Sequence, residues 1–294
     1  MAAGGMIAPG FTGAGLDRAD HLRLKDGELA ALMARAEARM LELAELDPVL
    51  DDEGRLTWGE LGLAEDMIFL GLDDEAPLFA PLVKIETIGQ RAWTVFRLLS
   101  QMSPKDAAIW GVARSLNEWH NRHLYCGRCG GGTHSFRGGW GRRCGGCGME
   151  HFPRVDPVVI MLAEHEGRVL VARQPQYPAG RSSALAGFVE PGEAIEEAVA
   201  RELMEEAGID VTDVNYVASQ PWPFPGSLMI ACIARSTSDD IRLDSDELED
   251  GFWVDRAGIE AALAGAADAP FQAPPPFAIA HTLLVRWLEQ DRER

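Results

Sequence analysis

The sequence predicts an α/β fold over residues 153–294, a mixed sheet held between helices, preceded by a four-cysteine zinc ribbon over 124–152 and an α+β N-terminal domain over 1–123. Three observations carry that expectation. Short apolar runs separated by turn residues recur from Val155 onward, a carboxylate-rich helix follows the third of them, and two Cys-x2-Cys pairs stand just ahead.

The first third of the chain carries no catalytic motif. Its opening residues, up to about residue 20, are rich in Gly and Ala and read as a loose arm. Asp26 to Leu46 spaces Leu and Ala among charges at helical intervals, which predicts an amphipathic helix. Asp51 to Gly62 reads as a polar turn region, and Met67–Leu72 with Pro77–Val83 as a hairpin around Asp73-Asp74-Glu75. Ser103-Pro104 is an N-cap and first-turn pair. It opens a helix that carries Ile109, Trp110, Val112, Ala113, Leu116 and Trp119 and runs to about His123. The acids of this region read as surface charge and its tryptophans as core. Arg97 is the one cation here that reads as an exposed binding residue.

Cys126-x2-Cys129 and Cys144-x2-Cys147 are separated by fourteen residues. Each pair is a Gly-rich knuckle whose tight turn lets both sulfurs face one ion. Four thiolates form a closed tetrahedral set, so the expectation is structural Zn²⁺ with no open position for chemistry. His134 and His151 stand nearby, but the four cysteines already complete the set. Arg128, Arg137, Arg142 and Arg143 lend the ribbon some basic character, a weak pointer toward nucleic acid. Cys232, inside the apolar run Leu228–Ala234, reads as a core residue.

Beyond the ribbon, Val158–Ala163 and Arg168–Ala172 read as strands joined at Glu166-Gly167, and Ala184–Val189 leads into the acidic helix. Val214–Ser219 and Leu228–Ala234 are further strands, and Gly251–Val254 a short one. Phe277 to Glu289, set off by Pro274-Pro275-Pro276, is the closing helix.

The acidic helix, Ala194 to Ala207, is the informative element. With Ile195 at zero and about 100° per residue, Val199, Leu203 and Ala198 define an apolar stripe. On the same count Glu202 falls at about −20°, Glu206 at about 20° and Glu205 at about −80°. Two acids therefore lie on the core-facing stripe and a third at its edge, whereas a merely solvated acid belongs opposite it, as Glu197 is. Half-buried carboxylates need compensation. Arg201 supplies one positive charge; three acids a turn apart predict a divalent ion, and all-oxygen ligation suits Mg²⁺ or Mn²⁺. Gly208-Ile209 ends the helix with a left-handed cap.

Composition bounds the class. The 294 residues hold 47% hydrophobic and 25% charged side chains, ordinary for a globular protein, and the net charge is −19. An acidic chain does not attract polyanions unaided, so a phosphate-bearing substrate must be met by local Arg or Lys and bound metal. No apolar run approaches membrane-spanning length, the N-terminus lacks a signal peptide's pattern, and the cysteine usage fits a reducing compartment. These predict a cytoplasmic chain without a membrane partner.

Gly187, five residues, Glu193, seven residues, then Arg201-Glu202-Leu203-Met204-Glu205-Glu206-Ala207-Gly208-Ile209 resembles the complete Nudix box, a loop–helix that holds divalent metal against a pyrophosphate. The resemblance implies the α/β/α Nudix sandwich. Ser219-Gln220-Pro221-Trp222-Pro223-Phe224-Pro225-Gly226-Ser227 is a Pro-braced loop with two large aromatics and polar handles at Gln220 and Ser227. It resembles the SQPWPFPxS signature of the NudC-type NADH pyrophosphatases, which also carry a four-cysteine ribbon before the Nudix domain.

The resemblance implies that Glu202, Glu205 and Glu206 hold Mg²⁺ or Mn²⁺ together with the carbonyl of Ala186 and the loop acid Glu247, with Arg201 in the same machinery. It implies that Phe152 and Phe188 sandwich a substrate ring, and that Gln220, Pro221, Trp222, Pro223, Phe224, Pro225, Gly226, Ser227 and Ala280 line the nucleotide pocket. The implied reaction splits the pyrophosphate of NADH or NAD⁺ into nicotinamide mononucleotide and AMP, on the free dinucleotide or on NAD-capped RNA, by a homodimer. Two alternatives stay open: a Nudix hydrolase of other dinucleotides such as ADP-ribose, and a non-catalytic nucleotide sensor.

Overall fold

The computed structural model describes residues 9–61, 66–85 and 93–290, and the chain divides into two compact units. One comprises Phe11–Val155 with Pro221–Ser227; the other comprises Met1–Gly10, Asp156–Gln220 and Leu228–Arg294.

The first unit begins with α1 (Asp20–Arg23) and α2 (Asp26–Met33), followed by β1 (Arg39–Leu41), β2 (Leu43–Ala44), β3 (Asp47–Pro48), β4 (Trp58–Gly59), β5 (Met67–Asp73) and β6 (Ala76–Pro81). The predicted hairpin is β5–β6, closed through Asp74 and Glu75, both at positive φ. β1 joins it parallel to β6, giving the order β4-β1-β6-β5. Two expectations fail here. The helix predicted over Asp26–Leu46 ends at Met33, because Met40 and Leu41 are recruited into the sheet, where Met40 pairs with Phe79 and Leu41 is buried. Sheet pairing and burial override the helix propensity of Ala, Leu and Glu. The predicted loose arm is docked from Pro9 onward within the described residues: Phe11 and Ala19 are buried and Asp17 pairs with Leu72. Gly71, at φ 140°, permits that approach; a Cβ there would lie 2.4 Å from the Asp17 carbonyl oxygen. Of the polar turn at Asp51–Gly62, the turn stands at 51–54 and β4 follows, while Gly62 lies outside the described residues.

Next come α3 (Trp93–Leu99) and α4 (Pro104–Arg122). Ser103 caps α4 by accepting from the Asp106 amide at 3.1 Å, as its sequence predicts. Ile109, Trp110, Ala113, Leu116 and Trp119 are buried along it. The ribbon is the antiparallel sheet β7 (Thr133–Phe136), β8 (Gly141–Cys144) and β9 (Glu150–His151). A buried polar joint ties α4 to it. His120 Nε2–H donates to the Gly139 carbonyl at 2.8 Å, and its Nδ1 accepts from Arg142 Nη1 at 2.9 Å.

The second unit holds β10 (Asp156–His165), β11 (Arg168–Arg173), β12 (Leu185–Phe188), α5 (Ile195–Ala207), β13 (Val211–Trp222) as far as Gln220, β14 (Ser227–Ser236) from Leu228 onward, β15 (Asp250–Asp255), α6 (Arg256–Leu263) and α7 (Ile279–Gln290). The sheet runs β13-β14-β10-β11-β15, with β12 pairing β10. Alternation along β10 divides the core. Val159, Met161 and Ala163 pack with Ala198, Val199, Leu203 and Ala207 of α5; Ile160 and Leu162 pack with Ile259 of α6 and Leu283, Leu284 and Trp287 of α7. Period-two side chains feeding two helical layers make the predicted α/β/α sandwich. α6 is an addition to the elements expected from the sequence, and Asp255, which accepts from the Gly258 amide at 2.8 Å, is its N-cap signal. β13 runs further than Ser219 and includes Pro221, which an edge strand tolerates.

The His120 joint sets a pH dependence. Burial, with Arg142 adding to it against the Gly139 hydrogen bond, lowers His120 from 6.5 to about 4. The unfolded chain takes up a proton that the native imidazole refuses, so stability falls as pH drops from 6.5 to about 4. Urea unfolding across that window is expected to show a steeper acid loss in the wild type than in His120→Gln, whose side chain does not titrate.

Candidate active site

α5 presents its carboxylates as the helical count predicts. Glu202 and Glu206 are buried in the wall, at 9% and 3% exposure, while Glu205 and Glu197 are exposed. The helix start is fixed by its own acids: Glu197 accepts from the Ala194 amide at 2.7 Å and Glu193 from the Glu190 amide at 2.8 Å. Its end closes on Gly208 at φ 66°.

Arg201 organises the near side of this patch. It donates through Nε and Nη2 to Glu193 at 2.6 and 2.9 Å, and through Nη1 to Glu202 at 2.8 Å and Glu205 at 3.0 Å. Nη2 also reaches the Phe188 carbonyl at 2.9 Å, tying the helix to the end of β12. The pairing holds Glu193 down to about 2. Gly187 completes the fit, because a Cβ there would lie 1.8 Å from the Glu202 carboxyl carbon. Only glycine lets strand and carboxylate approach this closely.

Glu206 is compensated least. Its Oε2 is buried with no hydrogen-bond partner. Burial, then the charges of Glu202 and Glu247, push its carboxyl up to about 8. Glu202 is raised too, by burial first, with Arg201 opposing. Glu247 is delivered by the loop that caps the end of α5: the Arg242 amide donates to the Ala207 carbonyl at 2.8 Å and the Asp244 amide to the Glu206 carbonyl at 2.9 Å. Leu248 is buried and anchors that loop. An orphaned buried oxygen among like charges is a donor set that fits a divalent cation. The acids are not drawn into a tight cage: among the described residues, the group of metal-binding side chains converging within 4.8 Å is the cysteine quartet. Arg201 holds Glu202 and Glu205 on its own side.

In that quartet Sγ of Cys126 lies 3.7 Å from Cys147, and Sγ of Cys129 lies 3.5 Å from Cys144. Four sulfurs about 2.3 Å from one Zn²⁺ would stand about 3.8 Å apart, so the set fits a single tetrahedral ion. The Cys147 and Gly146 amides aim at Cys144 Sγ and draw its thiol down to about 6. His151 Nε2 sits 3.3 Å from Cys126 Sγ without joining the quartet.

Comparison with known proteins agrees with this geometry. Residues 153–273 match the NUDIX domain model, and residues 121–152 match that of the NADH pyrophosphatase zinc ribbon domain. The chain is 36% identical over 232 residues to the NAD-capped RNA hydrolase NudC of Stutzerimonas stutzeri, spanning 78% of this chain and 84% of that one. The chain belongs to the Nudix hydrolase family. This Nudix chain is also 37% identical to human NAD(P)H pyrophosphatase NUDT13, mitochondrial, covering 75% of this chain and 67% of that one. To human NAD-capped RNA hydrolase NUDT12 it is 42% identical over 200 residues, 65% of this chain, and it spans 43% of that longer protein.

Ala186, Phe188, Arg201, Glu202, Glu205, Glu206 and Glu247 belong to the second unit, with Phe188 60% exposed beside the acids' helix. Gln220 and Ala280 lie in that unit's interior. The Gln220 amide donates to the Gly10 and Phe277 carbonyls and accepts from the Ile279 amide, and Ala280 packs in the core. Gln220 therefore does not stand as a free polar handle. In the first unit, Phe224 and Ser227 are buried, Trp222 and Phe152 are half-buried, and Arg97 is exposed on α3. Sequence reasoning left Glu193 without a role. The signal was its place eight residues before Arg201, two turns along and within reach of the guanidinium.

Two outcomes follow for the acids. Gly187→Ala forces the Glu202 carboxylate aside; thermal unfolding is expected to show a loss of about 2–3 kcal/mol, with weaker Mn²⁺ binding by calorimetry. In metal-free protein, native Glu206 keeps a proton that the unfolded chain releases, so stability falls as pH rises from 4.5 to about 8. Melting in chelator is expected to show that slope in the wild type, a shallower one in Glu206→Gln, and its reversal by added Mn²⁺.

Proposed function

We propose that this Nudix hydrolase splits the pyrophosphate bond of NADH and NAD⁺ into nicotinamide mononucleotide and AMP, and acts on the same bond where NAD caps an RNA 5′ end. The observation that carries this reading is the orphaned Glu206 oxygen inside a carboxylate patch on the Nudix helix. The activities for which NudC, NUDT12 and NUDT13 are named support the substrate class, and so does the match of residues 121–152 to an NADH pyrophosphatase ribbon.

In this reading Glu202, Glu205 and Glu206, the Ala186 carbonyl and Glu247 hold Mg²⁺ or Mn²⁺, and Cys126, Cys129, Cys144 and Cys147 hold Zn²⁺. A divalent ion there supplies positive charge against the pyrophosphate and acidifies water. Arg201 restrains Glu202 and Glu205 so that ion and substrate meet a pre-set array. Glu206 or Glu202, both in the carboxylate patch, takes the proton of the attacking water in this reading. Water adds to phosphorus as the anhydride P–O bond breaks, and one mononucleotide leaves. In this reading Phe188 and Phe152 sandwich a substrate ring, and the loop from Pro221 to Ser227, with Arg97, serves the nucleotide. We assign the three regions 1–123, 124–152 and 153–294 to an N-terminal domain, the ribbon and the hydrolase, working as a homodimer in the cytoplasm. Among the described residues no helix is long and apolar enough to cross a membrane.

With NADH and Mn²⁺, chromatography is expected to show nicotinamide mononucleotide and AMP in equal amounts. Glu206→Gln should fold and lose turnover by about 10²-fold or more. Full activity in that variant, or a preference for ADP-ribose over NADH, overturns the reading.

A further inference from the structure

The Pro221–Ser227 loop sits in a socket built by the first third of the chain. Trp222 stacks on Phe96 with ring centroids 6.1 Å apart at 21°, and meets Phe11 edge-on at 5.7 Å. Phe224 packs against Phe96 at 5.5 Å, Trp110 at 6.1 Å and Phe11 at 6.3 Å. Beneath these rings lies Arg114 of α4, only 5% exposed. Its guanidinium stands 4.9 Å over the Phe224 ring, and its Nε donates to the Pro223 carbonyl at 3.0 Å. Glu118 at 3.5 Å and Asp47 at 3.7 Å balance its charge. Gly111, one turn earlier, keeps the helix surface low: a Cβ there would come within 3.2 Å of Phe11 and 3.5 Å of Pro223.

Apolar side chains in place of Arg114 and its partner Glu118 together could fill this space without burying a charge, and replacing a whole buried ion pair in that way is often neutral or stabilising. What the guanidinium adds is a planar, fixed donor that holds one backbone atom between two aromatics. We propose that Arg114 is a positioning residue, pre-setting the Trp222–Phe224 loop for the dinucleotide through the Pro223 carbonyl, and that this is a function of the N-terminal region. The inference rests on the pyrophosphatase reading for its substrate. A loop held before binding does not have to be ordered during it, so the effect falls on affinity rather than on the chemical step.

The test is Arg114→Lys, which keeps a cation for Glu118 and Asp47 but loses the planar Nε donor. Its melting temperature should stay near the wild type. KM for NADH should rise about 5–10-fold with kcat within about twofold, the scale of one lost hydrogen bond. Hydrogen exchange by mass spectrometry should speed up in peptides covering 221–227 and stay unchanged in those covering α5. Phe96→Leu disturbs the socket without touching a charge and should give the same KM-limited defect, which covers the case of an unstable lysine variant. Wild-type KM and wild-type loop exchange in both variants overturn the proposal, as does a fall in kcat at constant KM. If the wild type does not hydrolyse NADH, the pyrophosphatase reading fails instead, and the exchange of the 221–227 peptides alone decides whether Arg114 holds the loop.

Discussion

Repulsion among carboxylates at the face of one helix is the constraint around which the second unit is arranged. Two of the acids of α5 are built into the wall of the sandwich, where water cannot screen them. The surroundings answer in two ways. Arg201 neutralises Glu202 and Glu205 and ties them to Glu193 and the end of β12, while Glu206 keeps a buried oxygen unanswered. Stability is thus sacrificed at one atom, which is where a cation has most to gain.

The sandwich was legible because its signals are local. Alternation in Val158–Ala163, the turn at Glu166-Gly167 and the helical spacing of Ile195, Val199 and Leu203 each depend on neighbours a few residues away. The ribbon was legible for the same reason: two knuckles of four residues fix their own geometry. The helix forecast over Asp26–Leu46 failed because its second half is decided by Phe79, a partner distant in sequence. Local propensity does not know about such pairings.

Within the site, burial of Glu202 and Glu206 and exposure of Glu205 follow from angular position alone, so they could be read from the sequence. The environment of the aromatic loop could not. Gln220 looks like a polar handle on paper, yet its amide is consumed by Gly10, Phe277 and Ile279, residues far along the chain in both directions. Phe224 looks presented and is covered by Phe11, Phe96 and Trp110. A side chain's type was visible, but the groups that claim its hydrogen bonds or cover its ring were not.

The amides of Arg242 and Asp244 close the last carbonyls of α5, and Glu247 follows three residues later. The loop acid is therefore geared to the helix end and not to β14 before it. One residue gained or lost between Asp244 and Glu247 would throw that acid out of step with its partners.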